Sequence, residues 1–468
     1  MSDHRGVCAW GVYIPHHRLD RSTIAPVAGT GGGRGVRAVA SHDEDTTTMG
    51  VEAARAAFRS CRGDVKALWF ATATPSYFDR TNATAIHAAL RLDRTVPAYD
   101  ALGSVRSGLG ALRAALVDTR NALVITSDIR TGLPGGPDES AGGDAAAALL
   151  IGNGTDTPVL ATVLAHESLS DELLDRWRTP GAPASKVWEE RFSEALYTPI
   201  GTEALKIGLA AAGIAAEQVD HLVVAGLPDR AISAVTRKSG INADRVIDRL
   251  DGVLGNPGTA QPTLLLASAL EQAEPGQHIV VLSLADGADV LVLRTTDGLS
   301  TYRSGRPVAD QLATGGPVSY GRYLAWRGLL PVEPPRRPEP ARVSSPAAAR
   351  NADWKFAFTA GGSAGEPHLP PRPTDTVGVP MADVLGTIVT FTIDRLSYSQ
   401  SPPVVFAVVD FDGGGRLPVE LTDVKADEVE IGQRVEMTFR KLSTSDGIHN
   451  YFWKARLHRS VADPRQEH

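Results

Sequence analysis

Cysteine is scarce in this 468-residue chain, which contains Cys8 and Cys61 alone. Two cysteines cannot build a framework of several disulfides, and they cannot supply four thiolate ligands to a zinc ion. Both thiols are expected to be small, buried or half-buried packing residues. The histidines show no spacing that brings two ligands onto one helix face, so no metal site is predicted.

The chain also has no excess of positive charge. It contains 47 Lys and Arg and 54 Asp and Glu, which gives a net charge of −7. This balance argues against a global basic field for nucleic acid. No apolar run approaches the roughly 18 residues of a membrane span, and the first residues do not begin an apolar signal segment. We therefore expect a cytoplasmic protein that binds neither nucleic acid nor membrane.

The chain is long enough for two or three domains, and its 43% hydrophobic and 22% charged residues are typical of soluble globular proteins. Apolar strand-like runs alternate with alanine-rich helical runs over the first 325 residues, which predicts a layered α/β fold with buried strands. The pattern occurs twice, giving halves at 1–165 and 166–325. The predicted strands include residues 67–72, 122–126, 222–225 and 279–283, and the predicted helices include 83–90, 202–212 and 262–272.

The composition changes after Trp326. A proline-rich stretch predicts an extended linker over residues 326–352. Beyond it, several segments alternate apolar and polar residues in the manner of β-strands, and Gly413-Gly414-Gly415 supplies a hairpin turn. These predicted strands are residues 386–394, 403–411 and 434–441.

Residues 98–108 have a strand–turn–helix pattern and run into a helical segment at 111–116. This stretch resembles the nucleophile turn of the thiolase superfamily, most closely that of hydroxymethylglutaryl-CoA synthases and of the third type of ketoacyl-carrier-protein synthase. Those enzymes carry an acyl group on a thiolate at the helix N-terminus, where the helix dipole lowers the pKa of the thiol. Val105 occupies that position. Because valine has no nucleophilic atom, covalent acyl transfer there is excluded.

The resemblance places two further catalytic positions on residues without acid–base chemistry. The general-base glutamate falls on Ala73, and the histidine that precedes an apolar residue and proline falls on Gly226. Three such losses indicate that the ancestral condensation is not performed here. The resemblance covers the first 325 residues and implies an α/β, thiolase-like duplicated layered fold.

Asn256 matches the family's Gly-Asn turn, whose amide points at the thioester carbonyl. It is either such a donor or an ordinary turn asparagine beside glycine, and the N–H of Val105 could be a second donor. Tyr77 and Asp79 follow the strand that carries Ala73, at its carboxyl end, where α/β folds place ligands. They are the best substitutes for an acid/base pair, and a tyrosine packed in a turn is the alternative.

Ser104 and Arg106 flank Val105. Ser104 is a replacement nucleophile or, more simply, a helix cap, while Arg106 binds either an anion or a structural carboxylate. The glycine-rich loop at 28–35 does not form a dinucleotide fingerprint. The resemblance instead makes Arg34 or Arg37 a contact for coenzyme A phosphates, with a flexible surface loop as the alternative. A coenzyme A thioester is the expected ligand, with no tightly bound cofactor.

Residues 449–456 resemble the last strand of a family that joins a rubredoxin-like zinc ribbon to an OB-fold and accompanies thiolase-like proteins. This resemblance implies a degenerate ribbon over 353–383, which holds its shape without metal because it has no cysteine, and a β-rich OB-fold domain over 384–460. OB-folds often bind oligonucleotides, but this region has no basic stripe.

Two functions follow from this pattern. The first is an enzyme of lipid or polyketide metabolism, a transferase or aldolase-like protein, that forms or cleaves carbon–carbon bonds of a coenzyme A or carrier-protein thioester without an acyl-enzyme. The second is a non-catalytic subunit that binds and channels thioesters for a separate, cysteine-bearing thiolase. Homodimerisation through the thiolase-like body is implied by the resemblance alone.

Overall fold

The computed structural model describes residues 5–333, 343–362, 367–375, 378–397 and 399–458. The chain divides into two compact units. Unit 1 takes the chain up to Ala40, Glu52–Thr84 and Asp93–Tyr323, and unit 2 takes Ser41–Val51, Ala85–Leu92 and the chain from Leu324 onward. None of the helices in the described ranges combines the length and hydrophobicity that crossing a membrane requires.

The first part of the chain supplies most of the regular elements. Its strands are β1 (Gly6–Tyr13), β2 (His17–Asp20), β3 (Val36–Val39), β4 (Ala67–Thr72), β5 (Ala98–Leu102), β6 (Ala122–Ile129), β7 (Asp144–Gly152), β8 (Ala161–Ser170), β9 (Arg176–Trp177), β10 (Lys186–Val187), β11 (His221–Gly226), β12 (His278–Leu284), β13 (Gly287–Thr295) and β14 (Gly316–Pro317). Its helices are α1 (Ala25–Ala28), α2 (Thr46–Ser60), α3 (Ala83–Ala89), α4 (Ser107–Val117), α5 (Pro137–Ala141), α6 (Glu190–Ala212), α7 (Asp229–Lys238), α8 (Gln261–Gln272), α9 (Val308–Ala313) and α10 (Tyr320–Trp326).

A mixed sheet of nine strands forms the centre of unit 1, in the order β11-β12-β13-β8-β1-β7-β6-β4-β5. Strand β4 pairs in parallel with β6, which pairs antiparallel with β7, which in turn pairs antiparallel with β1. The second half repeats this arrangement with β11, β12, β13 and β8 in the same roles. The expectation of two related α/β halves is confirmed, and β1 and β8 join them.

Helix α8 is surrounded by protein, since every residue from Gln261 to Leu270 is buried. Most of its buried residues are apolar and no charged residue lies among them, as expected for an interior helix rather than an amphipathic surface helix. Pro262 lies in the first turn, where its missing N–H costs no helical hydrogen bond. Helix α4 packs in the same apolar core through Leu109, Leu112 and Ala115. The predicted strands and helices of this region are present, although α6 begins twelve residues before the expected start at 202.

The last part of the chain supplies the remaining elements. They are α11 (Ser345–Ala349), α12 (Ala352–Lys355), β15 (Thr359–Ala360), β16 (Val379–Pro380), β17 (Gly386–Asp394), β18 (Val404–Phe411), β19 (Arg416–Leu421), β20 (Arg434–Ser445) and β21 (Ile448–Leu457). Unit 2 contains a closed barrel in the order β17-β18-β19-β21-β20. The predicted strands and the glycine turn are present, because Gly413–Gly415 have positive φ angles between β18 and β19. Phe439, Tyr451 and Trp453 are buried in the barrel core, so these three aromatic rings are not available to stack bases.

The expected ribbon segment, residues 353–383, contains a short antiparallel pair of β15 and β16. Beside it, His368 bonds to Asp375 at 2.9 Å between Nε2 and Oδ2. Residues 363–366 and 376–377 of this segment, 334–342 of the expected linker, and 398 and 459–460 of the OB-fold range lie outside the described residues.

A cluster of buried charges lies inside unit 2. The Arg440 guanidinium, which is fully buried, lies 3.1 Å from Asp43, 3.2 Å from Glu44 and 2.7 Å from Asp423. Lys454 lies 3.0 Å from Asp43. Burial alone would raise the pKa of Asp43, but Lys454 and Arg440 outweigh it and hold that pKa well below its ordinary value. Removing a cation would leave buried carboxylates without compensation.

We predict that Arg440→Met lowers the free energy of unfolding of unit 2 by about 3–5 kcal/mol, because three carboxylates lose a buried partner. Urea denaturation followed by tryptophan fluorescence measures the change. Arg416→Met is the matched control, since Arg416 pairs with Asp410 on the same barrel while 61% exposed, and it should cost less than about 1 kcal/mol. Equal effects of the two variants would contradict this account.

Candidate functional site

Val105 lies in the turn between β5 and α4. Strand β5 ends at Leu102, Gly103 takes a φ of +111°, and α4 begins at Ser107. The positive φ at Gly103 is a conformation that a residue with a side chain rarely adopts. The strand–turn–helix pattern predicted here is present, and the Val105 side chain is buried.

A cavity of about 110 Å³ lies beside this turn. Val105 lines it together with Ala73, which follows β4, and with Leu227 and Pro228, which follow Gly226 at the end of β11. The three segments that the resemblance assigns to nucleophile, glutamate and histidine therefore meet at one cavity.

The carboxylate of Asp128, at the end of β6, joins two of the surrounding segments. Its Oδ1 accepts hydrogen bonds from the Ala73 N–H at 2.8 Å and from the Thr72 hydroxyl at 2.9 Å. Its Oδ2 accepts from the Thr259 N–H at 2.7 Å. Asp128 is fully buried, so these donors replace the water that the carboxylate loses.

Gly226 occupies a backbone position that cannot carry a side chain. Its φ is +139°, and a Cβ atom built there would lie 2.4 Å from the carbonyl oxygen of Leu284. A histidine at this position would therefore require the backbone to move. The local conformation at the end of β11 therefore leaves no room for the histidine that the resemblance assigns to this position.

Asn256 connects two backbone segments through its side-chain amide. Its Nδ2 donates to the Gly226 carbonyl at 2.7 Å, and its Oδ1 accepts from the Gly258 N–H at 2.9 Å. The residue is buried and is not among those that line the cavity. These contacts give Asn256 a structural role, and its role as a donor to a thioester carbonyl remains a prediction.

The two residues beside Val105 both interact with carboxylates. The Arg106 Nε lies 2.8 Å from Asp289, and its Nη2 donates to the Ser168 hydroxyl and the Leu169 carbonyl. Of the two expectations for Arg106, the structural carboxylate is the one present. Ser104 lines the cavity, and its side chain lowers the pKa of the Asp286 carboxyl, against the larger effects of burial and of Asp175.

Tyr77 and Asp79 are not brought to the cavity. The Tyr77 backbone bonds to Asn82 at 3.0 Å, and the guanidinium of Arg80 lies 5.1 Å from the centre of its ring. Asp79 is exposed, with a φ of +56°. The turn after β4 directs these residues away from Ala73, so they are poorly placed as an acid/base pair for this site.

The two arginines expected to bind coenzyme A phosphates differ in environment. Arg37 is fully buried, and its guanidinium pairs with Asp144 at 3.2 Å and donates to the carbonyls of Glu139 and Arg130. These contacts replace the phosphate contact expected of Arg37, because the guanidinium is enclosed by protein. Arg34 is exposed in the glycine-rich loop, and its contact with phosphate stays a prediction.

Sequence reasoning missed an acidic group of the cavity, formed by Asp286, Tyr197 and Asp175. The Tyr197 hydroxyl donates to Asp175 at 3.1 Å and accepts from the Asp286 N–H at 3.0 Å. Burial raises the pKa of the Asp286 carboxyl, and the nearby Asp175 raises it further. The sequence signal that could have identified this group is Asp286, which follows the carboxyl end of β12, where α/β folds place ligands.

Three arginines, Arg130, Arg176 and Arg178, line the cavity as well and were also missed. Arg130 follows β6, whereas Arg176 and Arg178 come from the short β9 segment, which has no recognisable motif. The Arg178 Nη2 donates to the Ala73 carbonyl at 2.5 Å. A guanidinium therefore lies at the position that the resemblance assigns to a glutamate.

The fold defines a thiolase-like α/β body and an OB-fold. Comparison with protein families agrees. Residues 209–292 match the model "3-Oxoacyl-(acyl-carrier-protein (ACP)) synthase III C terminal", and residues 378–440 match "ChsH2, C-terminal OB-fold domain". The chain thus combines a hydroxymethylglutaryl-CoA synthase-like, ketoacyl synthase III-like body with a ChsH2-type OB-fold.

Individual relatives cover the first part of the chain. A hydroxymethylglutaryl-CoA synthase of Methanothermobacter thermautotrophicus is 27% identical over 344 residues, which are 69% of this chain and 99% of that protein. Two solved structures share the fold. MvaS in complex with 3-hydroxy-3-methylglutaryl coenzyme A has a TM-score of 0.59, 21% identity and coverage of 71% and 93% of the two chains. The curacin-pathway HMG synthase in complex with apo donor-ACP has a TM-score of 0.57, 19% identity and coverage of 69% and 88%.

We predict that Gly226→Ala lowers the free energy of unfolding by about 1–3 kcal/mol, since the added methyl group meets a backbone oxygen and φ is unfavourable. Gly110→Ala in α4 is the matched control, because a Cβ there has no neighbour within 4 Å. It should be neutral or stabilise by up to about 1 kcal/mol. Differential scanning calorimetry measures the sign of the stability change in each variant. A Gly226→Ala protein as stable as the unaltered chain would refute the steric argument.

Proposed function

We propose that unit 1 binds an acyl thioester of coenzyme A or of a carrier protein and takes part in carbon–carbon bond formation or cleavage without an acyl-enzyme. The main observation in support is that Val105, Ala73 and the residues that follow Gly226 line one cavity. The relatives named above are a hydroxymethylglutaryl-CoA synthase and structures bound to a coenzyme A thioester or a carrier protein. The site is therefore retained while its covalent attachment point is absent.

Groups at the cavity support such chemistry. Within the described residues, the N–H of Val105 has no hydrogen-bond partner, and it lies just before the N-terminus of α4. A free main-chain donor in this position stabilises a thioester carbonyl or an enolate oxygen. Asp286 is the carboxyl group that we assign to proton transfer, because it lines the same cavity as Val105.

The second candidate is a non-catalytic subunit that holds thioesters for a separate, cysteine-bearing thiolase, with unit 1 forming a homodimer. This candidate is favoured by the residue types at Val105, Ala73 and Gly226, because valine, alanine and glycine supply no acid, base or nucleophile. A thioester that binds but does not react on the purified chain, and reacts when a cysteine-bearing thiolase is added, would support this candidate.

For the binding step, we predict that Val105→Phe weakens acyl-CoA binding at least tenfold, because the larger ring fills a cavity of about 110 Å³. Isothermal titration calorimetry with butyryl-CoA measures the affinity. Val117→Phe, on the 77% exposed last residue of α4, is the control and should bind as the unaltered chain does. Mass spectrometry should find no acylated protein, and an acyl adduct on residues 98–108 would overturn the proposal.

For the chemical step, we predict that Asp286→Asn lowers turnover of an acyl-CoA by about 10²–10⁴-fold, the usual contribution of a positioned acid or base, with little change in binding. Asp297→Asn is a surface control in the same unit. Turnover that survives Asp286→Asn would remove Asp286 from the mechanism, and binding without turnover by the unaltered chain would favour the subunit function.

A further inference from the structure

We infer that Tyr197 is a positioning residue for Asp286, because its hydroxyl group, oriented by Asp175, holds the main chain of Asp286 in the turn that places this residue at the cavity. The inference rests on the proposed function, in which the Asp286 carboxyl group transfers a proton, and it names the residues that act through that group. Tyr197, Asp175 and Asp286 all line the same cavity.

Asp286 lies in the hairpin between β12 and β13 and has an uncommon backbone conformation. Its φ is +47°, in the left-handed region, which residues with a side chain seldom adopt even though aspartate tolerates it better than most. The Ala285 N–H closes the hairpin by donating to the Gly287 carbonyl at 3.1 Å. Such a backbone persists where contacts from the surrounding structure determine it, and positions of this kind cluster at functional sites.

Two contacts from distant parts of the chain fix the main chain of Asp286. Its N–H donates to the Tyr197 hydroxyl at 3.0 Å, and its carbonyl accepts a hydrogen bond from Nη1 of Arg106. Tyr197 belongs to α6, and Arg106 directly precedes α4. Arg106 is itself held by Asp289, which lies 2.8 Å from its Nε. Both polar main-chain groups of Asp286 are thus bonded to other elements of unit 1, and Tyr197 supplies the contact to the amide.

Asp175 fixes the direction in which the Tyr197 hydroxyl points. That hydroxyl donates its single proton to Asp175 at 3.1 Å, which leaves its lone pairs to accept from Asp286. The other Asp175 oxygen accepts from the Ser193 hydroxyl at 3.1 Å. Burial and the charge of Asp175 raise the pKa of the Tyr197 hydroxyl, so that it stays protonated. Tyr197 therefore positions Asp286 and does not itself transfer the proton.

The charge of Asp175 gives this arrangement a measurable signature. Burial raises the pKa of the Asp286 carboxyl and Asp175 raises it further, while Arg106 and Ser104 lower it and Glu172 adds a smaller increase. The other charged residues that line the cavity are Arg130, Arg176 and Arg178. Asp175→Asn keeps an oxygen that accepts from Tyr197 and removes the charge. The pKa of Asp286 should therefore fall while its main-chain contacts remain.

Exchange of the α-hydrogens of butyryl-CoA in deuterated water, followed by mass spectrometry, is the probe reaction. The Asp286 carboxylate takes a proton from the α-carbon, the bonding electrons move to the thioester oxygen, and a deuteron then returns to the carbon. Because only the carboxylate form accepts a proton, the exchange rate rises with pH through the pKa of Asp286. Asp175→Asn should move the midpoint of that rise to lower pH, whereas Asp297→Asn, on the exposed surface of the same unit, should leave it in place.

Tyr197→Phe leaves the Asp286 N–H without its acceptor and should lower the maximal exchange rate by about 10–100-fold, the usual effect of a misplaced group, with little change in KM. Tyr302→Phe is the matched control, since the Tyr302 hydroxyl likewise accepts from a main-chain N–H and donates to a carbonyl, both of Trp10 at 3.1 Å. Tyr302 does not line this cavity, and its variant should exchange as the unaltered chain does.

Equal losses of exchange in Tyr197→Phe and Tyr302→Phe, or an unmoved midpoint in Asp175→Asn, would overturn the inference and leave the proposed function intact. The midpoint decides the question even if Tyr197→Phe does not fold. An unaltered chain that binds butyryl-CoA without exchanging its α-hydrogens would overturn the inference and favour the non-catalytic subunit. A chain that does not bind the thioester would overturn both the inference and the proposed function.

Discussion

The buried carboxylate of Asp128 is the constraint on which the site depends. It accepts hydrogen bonds from the end of β4, through Thr72 and Ala73, and from Thr259 beside the Asn256 turn. A carboxylate removed from water is stable only while such donors remain in place. The position of Ala73 in the cavity and the position of the Asn256 turn are therefore coupled through one side chain, even though none of these groups needs to react.

The three positions that the resemblance assigns to catalytic side chains are occupied in different ways. Val105 supplies an apolar side chain to the wall, and its N–H remains without a partner in the described residues. At Gly226 the backbone approaches Leu284 too closely for any side chain. At Ala73 the space next to the main chain is taken by the Arg178 guanidinium. Val105, Ala73 and Arg178 line one cavity together with Leu227 and Pro228, which follow Gly226.

Periodicity and turn residues predicted the α/β layering and the β-rich end of the chain, whereas the thiolase-like and OB-fold architectures were implied by the resemblance. Apolar runs such as residues 122–126 lie in buried strands, and Gly413–Gly415 form the expected turn of the barrel.

Only the part of the site that lies within one short stretch of sequence, the turn around Val105, could be predicted. Asp286 and Arg178 reach the cavity from distant points in the chain, so no short pattern connects them to Ala73. Tyr77 and Asp79 have suitable chemistry and follow the right strand, but the direction of a turn is set by contacts such as Asn82 with Tyr77. Arg37 was expected, from the resemblance, to contact coenzyme A phosphates, yet it is buried and its partner Asp144 lies 107 positions further along the chain, inside the core.

With valine at position 105, the thioester of the proposed function is held in the cavity by non-covalent contacts alone. A cysteine thioester fixes an acyl group in position, so that the reaction proceeds within one complex and its entropic cost is met in advance. Under the proposed function, the N–H of Val105 and the other groups that line the cavity must supply that positioning instead. The chemical step therefore depends on how firmly these segments are held, and the donors around Asp128 hold two of them.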